Sequence, residues 1–240
     1  MPDRAAIVTG ASGGIGLAVA RALGEEGLGL TIAGRRPERV ASAAGELRAA
    51  GYDVEEVEAD LGDEDGVRAV VERHRERYGR LDVLVNNAGV GLGAPVGETR
   101  TKRLDLQLDV NLRATILFYR ECADLLREAA AERGTAQVIN MASVAGKSGQ
   151  PWLSVYSATK AGVVAFTQAM NRELGSQGVK SVALCPAYVN TEMTDFIKEE
   201  VAPEDMIQPS DIAEAVRFLL HISPKCVVPE IVFQRPEAEL

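Results

Sequence analysis

A phenol and an ammonium four residues apart on a helix can serve one proton-transfer site. The chain carries such a pair in Tyr156-Ser157-Ala158-Thr159-Lys160, because positions i and i+4 lie on one helix face. Alone, that spacing is common and mostly means a packed tyrosine beside a solvated lysine. Ser143 gives it more weight, since it closes the run Val138-Ile139-Asn140-Met141-Ala142-Ser143 at the carboxyl edge of an expected strand. In a doubly wound sheet that edge is where ligands bind.

A second group of residues suits a phosphate. Thr9-Gly10-Ala11-Ser12-Gly13-Gly14-Ile15-Gly16 runs from an apolar β-branched stretch into an amphipathic one. Glycines let the backbone turn tightly and approach a pyrophosphate, and the following helix offers unpaired N–H groups at its positive end. A glycine cluster is often only a tight turn, but the strand–turn–helix context points to dinucleotide binding. Enzymes using NAD place an acid about 20 residues further on, to accept from the ribose 2′-hydroxyl. Here the second strand ends Gly34-Arg35-Arg36-Pro37, with no carboxylate. Arginine pairs with phosphate in a forked geometry. Such charge-assisted bonds contribute about 1.5–3 kcal/mol, a tenfold to hundredfold preference for a 2′-phosphate. The expectation is NADP(H) preferred over NAD(H), with Arg35 the main contact and Arg36 beside it.

The elements that must position these groups follow from periodicity. Apolar β-branched runs at 6–9, 28–33, 53–58, 83–86, 136–141, 180–184 and 226–233 read as strands. Amphipathic stretches at 15–26, 37–50, 63–78, 101–132, 156–176 and 209–221 read as helices, the fourth with a break near Asn111. Ser210 or Asp211 is expected to cap the last helix. The alternation predicts an α/β fold, a Rossmann-type doubly wound parallel sheet of about seven strands with helices on both faces. No repeat or linker interrupts it, so residues 1–240 read as one domain, with a lid around 191–208 carrying Met193, Phe196, Ile197, Met206 and Ile207.

Composition narrows the function classes. The chain is 46% hydrophobic and 25% charged, which excludes a disordered chain. Its formal net charge of -9 argues against nucleic acid or an anionic membrane as partner. No apolar run reaches the roughly 20 residues of a membrane helix, and the start lacks the apolar stretch of a secretory signal. Cys122, Cys185 and Cys226 form no metal-type pair, and reduced, mostly buried thiols fit a cytoplasmic location. His74, within Glu72-Arg73-His74-Arg75-Glu76, reads as a solvated helix face and His221 as a helix end, so no metal site is expected. The absence of a Gly-x-Ser-x-Gly elbow argues against a serine hydrolase.

Taken in order, Thr9-Gly10-x-x-x-Gly14-x-Gly16, Asp60-Leu61, Asn86-Asn87-Ala88-Gly89, Asn111, Ser143, Tyr156-x-x-x-Lys160 and Pro186-Ala187-Tyr188-Val189-Asn190-Thr191 resemble the short-chain dehydrogenase/reductase family over nearly the whole chain. The resemblance implies an NADP(H)-dependent oxidoreductase acting between a carbonyl and a secondary alcohol. Tyr156 would be the general acid in reduction and the base in oxidation, and Ser143 would hold the substrate oxygen against it. Lys160 would hold the nicotinamide ribose and depress the tyrosine pKa, and Asn111 would fix a water in the relay behind Lys160. Lowering a tyrosine from about 10 by three units takes about 4 kcal/mol, and a neighbouring ammonium acts in that direction.

The same resemblance gives the cofactor Gly10, Ser12, Gly14, Ile15 and Gly16 at the pyrophosphate. Asp60 and Leu61 would border the adenine, Asn87, Ala88 and Gly89 the adenosine ribose, and Pro186, Val189 and Thr191 the nicotinamide end. Ala187 stands where the family usually has glycine. The end of the chain lacks the Thr-Gly and Asp-Gly-Gly that often flank the last strand. A homodimer through the two long helices is expected, with a homotetramer as the larger alternative. The substrate is a small-molecule carbonyl or alcohol with an apolar group, for instance a 3-oxoacyl thioester, a cyclic ketone or an aldehyde. Its walls would be residues 90–92, 145–153 with Trp152, Tyr188 and 193–206. Arg100, Lys102 and Arg103 could serve an acyl-carrier protein. The alternative is a non-catalytic NADP(H)-binding sensor with the same fold, which would be expected to have lost Ser143, Tyr156 or Lys160.

Overall fold

The computed structural model describes residues 2–236; Met1 and residues 237–240, included in the expected domain, lie outside them. Seven parallel strands form one sheet: β1 (Ala5–Thr9), β2 (Gly29–Gly34), β3 (Val54–Glu58), β4 (Val83–Asn86), β5 (Ala136–Met141), β6 (Val179–Pro186) and β7 (Glu230–Phe233). Their spatial order is β3-β2-β1-β4-β5-β6-β7. The chain leaves β1 toward β2 and β3, then returns to place β4 on β1's other side. That reversal opens a crevice at the carboxyl ends of β1 and β4, where doubly wound sheets bind their ligands.

Strand alternation decides which side chain enters which layer. Ala6 and Val8 of β1, Leu30 and Ile32 of β2 and Val83 and Val85 of β4 face one core. Against them pack α1 (Gly14–Glu25), α2 (Pro37–Ala49) and α7 (Pro209–His221), through Val19, Leu23, Val40, Leu47 and Val216. Ile7, Leu84 and Val138 face the other core, filled by Val67 and Val70 of α3 (Glu64–Tyr78) and by Phe118, Leu125 and Leu126 of α5 (Ala114–Arg133). Each such buried side chain contributes about 1.5–3 kcal/mol. The remaining helices are α4 (Thr101–Leu108) and α6 (Ser154–Leu174).

Three expectations need adjustment. The last strand starts at Glu230, not 226, because Pro229 has no N–H to give the ladder. The last helix is capped by Gln208, which exchanges bonds with Asp211: the Gln208 N–H donates to Asp211 Oδ2 at 2.8 Å. His74 is not on a solvated face. It is fully buried, its Nε2–H donating to Arg80 O and its Nδ1 accepting from Thr31, both at 2.8 Å. Burial holds it neutral, with a pKa lowered to about 4. The break near Asn111 is a π-helical turn, Asp109–Arg113, joining α4 to α5 without ending the helix. Cys122 and Cys185 are buried and Cys226 is exposed.

Candidate active site

The glycine turn is shaped by close approach. Gly14 has φ +54°, and a Cβ there would lie 3.1 Å from Thr191 Cγ2. A Cβ on Gly16 would come within 2.5 Å of Asn87 Nδ2 and well inside contact of Gly10 O. At Gly14 a side chain would be strained by the left-handed φ, and at Gly16 it would strike the backbone of Gly10 and Ala11. The helix opened by this turn has Gly13 as N-cap, no side-chain cap and no acid in its first turn. Its N–H groups and dipole thus face the crevice with no protein anion competing, which fits a pyrophosphate. Ser12 and Ile15 flank that opening.

Asn86–Gly89 is stitched onto the turn. Thr9 Oγ1 donates to Val85 O at 3.2 Å and accepts from Asn87 N and Ala88 N at 3.0 Å each. Asn87 Nδ2 donates to Thr9 O at 3.0 Å and Gly10 O at 3.1 Å. Sequence reasoning used Thr9 only as a motif letter. Its hydroxyl at the last residue of β1 was the signal of an organising role.

At the adenosine end, Arg35 and Arg36 are exposed after β2, and Arg35 makes no ion pair among the described residues. Arg36 reaches toward Glu192 at 3.9 Å, and Arg39 holds Glu192 at 2.6 and 2.8 Å. Arg39 was not anticipated; its place one helical turn past Arg35 was the available signal. The pair joins the chain after β2 to the chain after β6, across the carboxyl edge of the sheet. Asp60 is exposed and accepts from Gly62 N at 3.1 Å, and Leu61 is buried.

The second group converges from β4, the π turn, β5 and α6. Lys160 is buried, 3% exposed, and donates to Met141 O at 2.7 Å. Its Nζ lies 5.6 Å from the centre of the Tyr156 ring. A Cβ on Gly89 would stand 3.3 Å from Asn111 Oδ1 and 3.5 Å from Lys160 Nζ. The Asn111 amide clamps Val90, accepting from its N–H at 2.7 Å and donating to its carbonyl at 2.9 Å. Ser143 caps a short 3-10 turn, Val144–Gly146, accepting from Ala145 N at 3.2 Å and donating to Pro186 O at 3.3 Å.

The net electrostatic balance at Tyr156 runs opposite to the lowering expected from Lys160 alone. Burial raises the Tyr156 pKa above the ordinary value, and the nearby Ser143 side chain acts in the opposite direction. Ser143 does so although its own hydrogen bonds go to Pro186 O and Ala145 N. Burial outweighs whatever pull Lys160 exerts on the phenol. Its ammonium is spent on Met141 O, and burial brings its own pKa down to about 8. The phenol is therefore neutral at physiological pH in this structure.

Past Pro186, Ala187 donates to Phe233 O at 2.9 Å, and its backbone is not in the left-handed region, so alanine fits there. Val189 bridges to Ile207, Thr194 Oγ1 donates to Val189 O at 2.6 Å, and the same oxygen accepts from Thr191 N at 3.3 Å in a capping box. The stretch expected as a lid thus has both ends pinned, with Met206 and Ile207 buried and Met193 and Phe196 exposed. Trp152, an expected wall, is the only non-glycine among the described residues with positive φ, +67°. That conformation costs about 1–3 kcal/mol in a bulky residue.

A doubly wound parallel sheet with an uncapped glycine turn and a buried lysine beside a tyrosine at one crevice defines a dinucleotide-dependent oxidoreductase. The sequence profile described as short chain dehydrogenase matches residues 4–202, and the chain belongs to that family. The 3-oxoacyl-[acyl-carrier-protein] reductase FabG of Staphylococcus aureus is 31% identical over 239 residues, covering 95% of this chain and 95% of that protein. The crystal structure of a variant actinorhodin polyketide ketoreductase with NADPH is 33% identical, covers 95% of both chains and superposes with a TM-score of 0.87. An alcohol dehydrogenase of Thermococcus sibiricus complexed with 5-hydroxy-NADP is 28% identical, covering 98% of this chain and 99% of that one, with a TM-score of 0.86. The expected fold, the oxidoreductase class and NADP(H) as cofactor all stand.

Proposed function

We propose that this chain interconverts a small-molecule carbonyl and its alcohol with NADP(H), using Tyr156 as the proton-transfer residue. NADP(H), when bound, supplies or accepts the hydride. Gly10, Ser12, Gly14, Ile15 and Gly16 would hold its pyrophosphate, Arg35 and Arg36 its 2′-phosphate, and Asp60 and Leu61 would border the adenine. Asn87, Ala88 and Gly89 would line the adenosine ribose, and Pro186, Val189 and Thr191 the nicotinamide end. The observation that carries the reading is the convergence of Tyr156, Lys160, Ser143 and Asn111 at one crevice beside an uncapped helix N-terminus.

In reduction, a neutral phenol is the form a general acid requires, and burial keeps Tyr156 in that form. Ser143 Oγ hydrogen-bonds the carbonyl oxygen and holds it toward the phenol. Lys160 orients the nicotinamide ribose and, as a cation, stabilises the phenolate left after proton transfer. Asn111 holds the Val90 backbone and, through Gly89, the floor of the Lys160 site, with a water in the relay behind that lysine. Oxidation of an alcohol needs Tyr156 deprotonated, the form that burial disfavours.

The segment 191–208 acts as the substrate lid of a single domain, and its exposed Met193 and Phe196 suit a substrate with an apolar group. The protein works as a homodimer through α4, α5 and α6, where Leu108 and Ile116 are each 39% exposed, with a homotetramer as the larger alternative. It is cytoplasmic, a reading supported by its free thiols; no described helix is long and apolar enough to cross a membrane. The test is Tyr156→Phe. Carbonyl reduction should fall by about 10²–10⁴ in kcat while NADPH affinity stays within a few-fold. Unchanged turnover overturns the assignment.

A further inference from the structure

The mouth above Tyr156 is roofed by aromatic rings from three separate segments. Trp152, with its left-handed backbone, lays its indole against Gly93, where a Cβ would lie 2.5 Å from three ring carbons. Ala94 N–H fixes the same residue by donating to Trp152 O at 2.8 Å. A ring held so firmly would ordinarily be a buried anchor, yet it is 51% exposed. Facing it is Phe196, 59% exposed, with ring centres 6.2 Å apart. Tyr188 meets Phe196 nearly edge-on, at 6.5 Å and 80°.

This roof shares a wall with the reacting phenol. A Cβ on Gly91 would touch Met193 Cγ and Sδ at 3.8 Å and Tyr156 Cε2 at 3.9 Å. Met193 thus stands near the Tyr156 ring, three residues before Phe196 in one 3-10 helix, and a molecule whose oxygen reaches Tyr156 would extend its carbons toward the Phe196–Trp152 pair. Met193, Phe196, Trp152 and Tyr188 are uncharged, and three of them present π-faces or ring edges; Arg103 lines the hollow beside Trp152. Aromatic pairs gain up to about tenfold in an equilibrium beyond what their buried area provides. A saturated ring of equal size gains the area alone.

We propose that Trp152, Phe196 and Tyr188 form a binding site for a flat aromatic ring, and that the substrates are aryl ketones or aryl carbinols with the reacting carbon next to that ring. The proposal rests on Tyr156 as the proton-transfer residue. Strain at Trp152 is then retained because it sets the indole at the mouth instead of in the core.

The test compares acetophenone with cyclohexyl methyl ketone, equal in size but flat in one case and puckered in the other, at saturating NADPH. Conjugation slows the aryl ketone chemically, so the comparison is read in KM and in its change on substitution. The wild type should show a KM about tenfold lower for acetophenone. Trp152→Leu and Phe196→Leu should each erase most of that ratio by raising the acetophenone KM, with kcat little moved. Equal KM values in the wild type, or both KM values rising together in the variants as a merely structural role would cause, overturn the proposal.

Trp152 is the only tryptophan, so its fluorescence gives a readout independent of turnover. With NADP bound, acetophenone should quench it saturably, and Phe196→Leu should weaken that binding several-fold. If neither ketone turns over although NADPH binds, the catalytic reading fails. The aromatic site is then judged by quenching, which must saturate with acetophenone and not with its saturated counterpart.

Discussion

The glycine turn and the mouth above Tyr156 are built by opposite means. At the turn the working groups are backbone N–H groups, and the residue types are forced by the absence of space. Gly14 and Gly16 are defined by what a Cβ would strike. At the mouth the working groups are large side chains, Trp152 and Phe196, both more than half exposed, with the Trp152 ring fitted against Gly93. A backbone site tolerates almost no substitution but recognises only what every dinucleotide shares. A side-chain site can be rebuilt residue by residue, and it is where one family divides into many substrates.

The sharpest way to break the contrast is Gly16→Val. Its Cβ would press on Asn87 Nδ2 and on the backbone of Gly10 and Ala11, none of which can retreat without opening the turn. Overpacking of this kind costs about 1–3 kcal/mol, and backbone neighbours place it at the upper end, about a hundredfold in NADPH affinity. Titration of NADPH fluorescence measures it. An affinity within threefold of wild type would show that the turn is not the cofactor's seat. Arg35→Ala comes next and acts on discrimination. Losing one charge-assisted contact to the 2′-phosphate should reduce the NADPH-over-NADH ratio of kcat/KM by about tenfold to a hundredfold. An unchanged ratio would shift recognition to Arg36 and Arg39, the arginines that meet Glu192.

The same contrast governs what could be read from the residues alone. The turn, Asn86–Gly89, Ser143 and the Tyr156–Lys160 pair were legible because each needs one residue type at one spacing. The doubly wound parallel sheet followed from alternating strands and helices. His74 escaped because its neighbours Arg73 and Arg75 are charged. Yet Val67, Val70, Val71 and Tyr78, the other buried residues of α3, stand at helical spacing with it, and that period outweighs local charge. The Arg39–Glu192 contact joins residues 153 positions apart, and no local pattern announces it. The net direction of the Tyr156 shift was not legible for a related reason. Lys160 at i+4 is near enough to act, but only the fold shows that its ammonium is turned to Met141 O and that both groups are buried.

The Tyr156–Lys160 pair has a measurable consequence, the smallest in size. Lys160 joins the two regions, lying between Gly89 and Tyr156. With its pKa lowered to about 8, it is charged below that pH and neutral above it. If the cation stabilises the phenolate formed when Tyr156 gives up its proton, kcat/KM for carbonyl reduction should be level up to about pH 7.5. It should then decline toward tenfold per pH unit beyond about 8. Lys160→Arg carries a charge that does not titrate in this range. Its absolute rate should be lower, because the fork cannot reproduce the single bond to Met141 O, but its profile should lose the decline above pH 8. A wild-type profile that rises through pH 8 to 10 would mean that the rate follows ionisation of Tyr156 itself, with the phenolate and not the phenol as the active form.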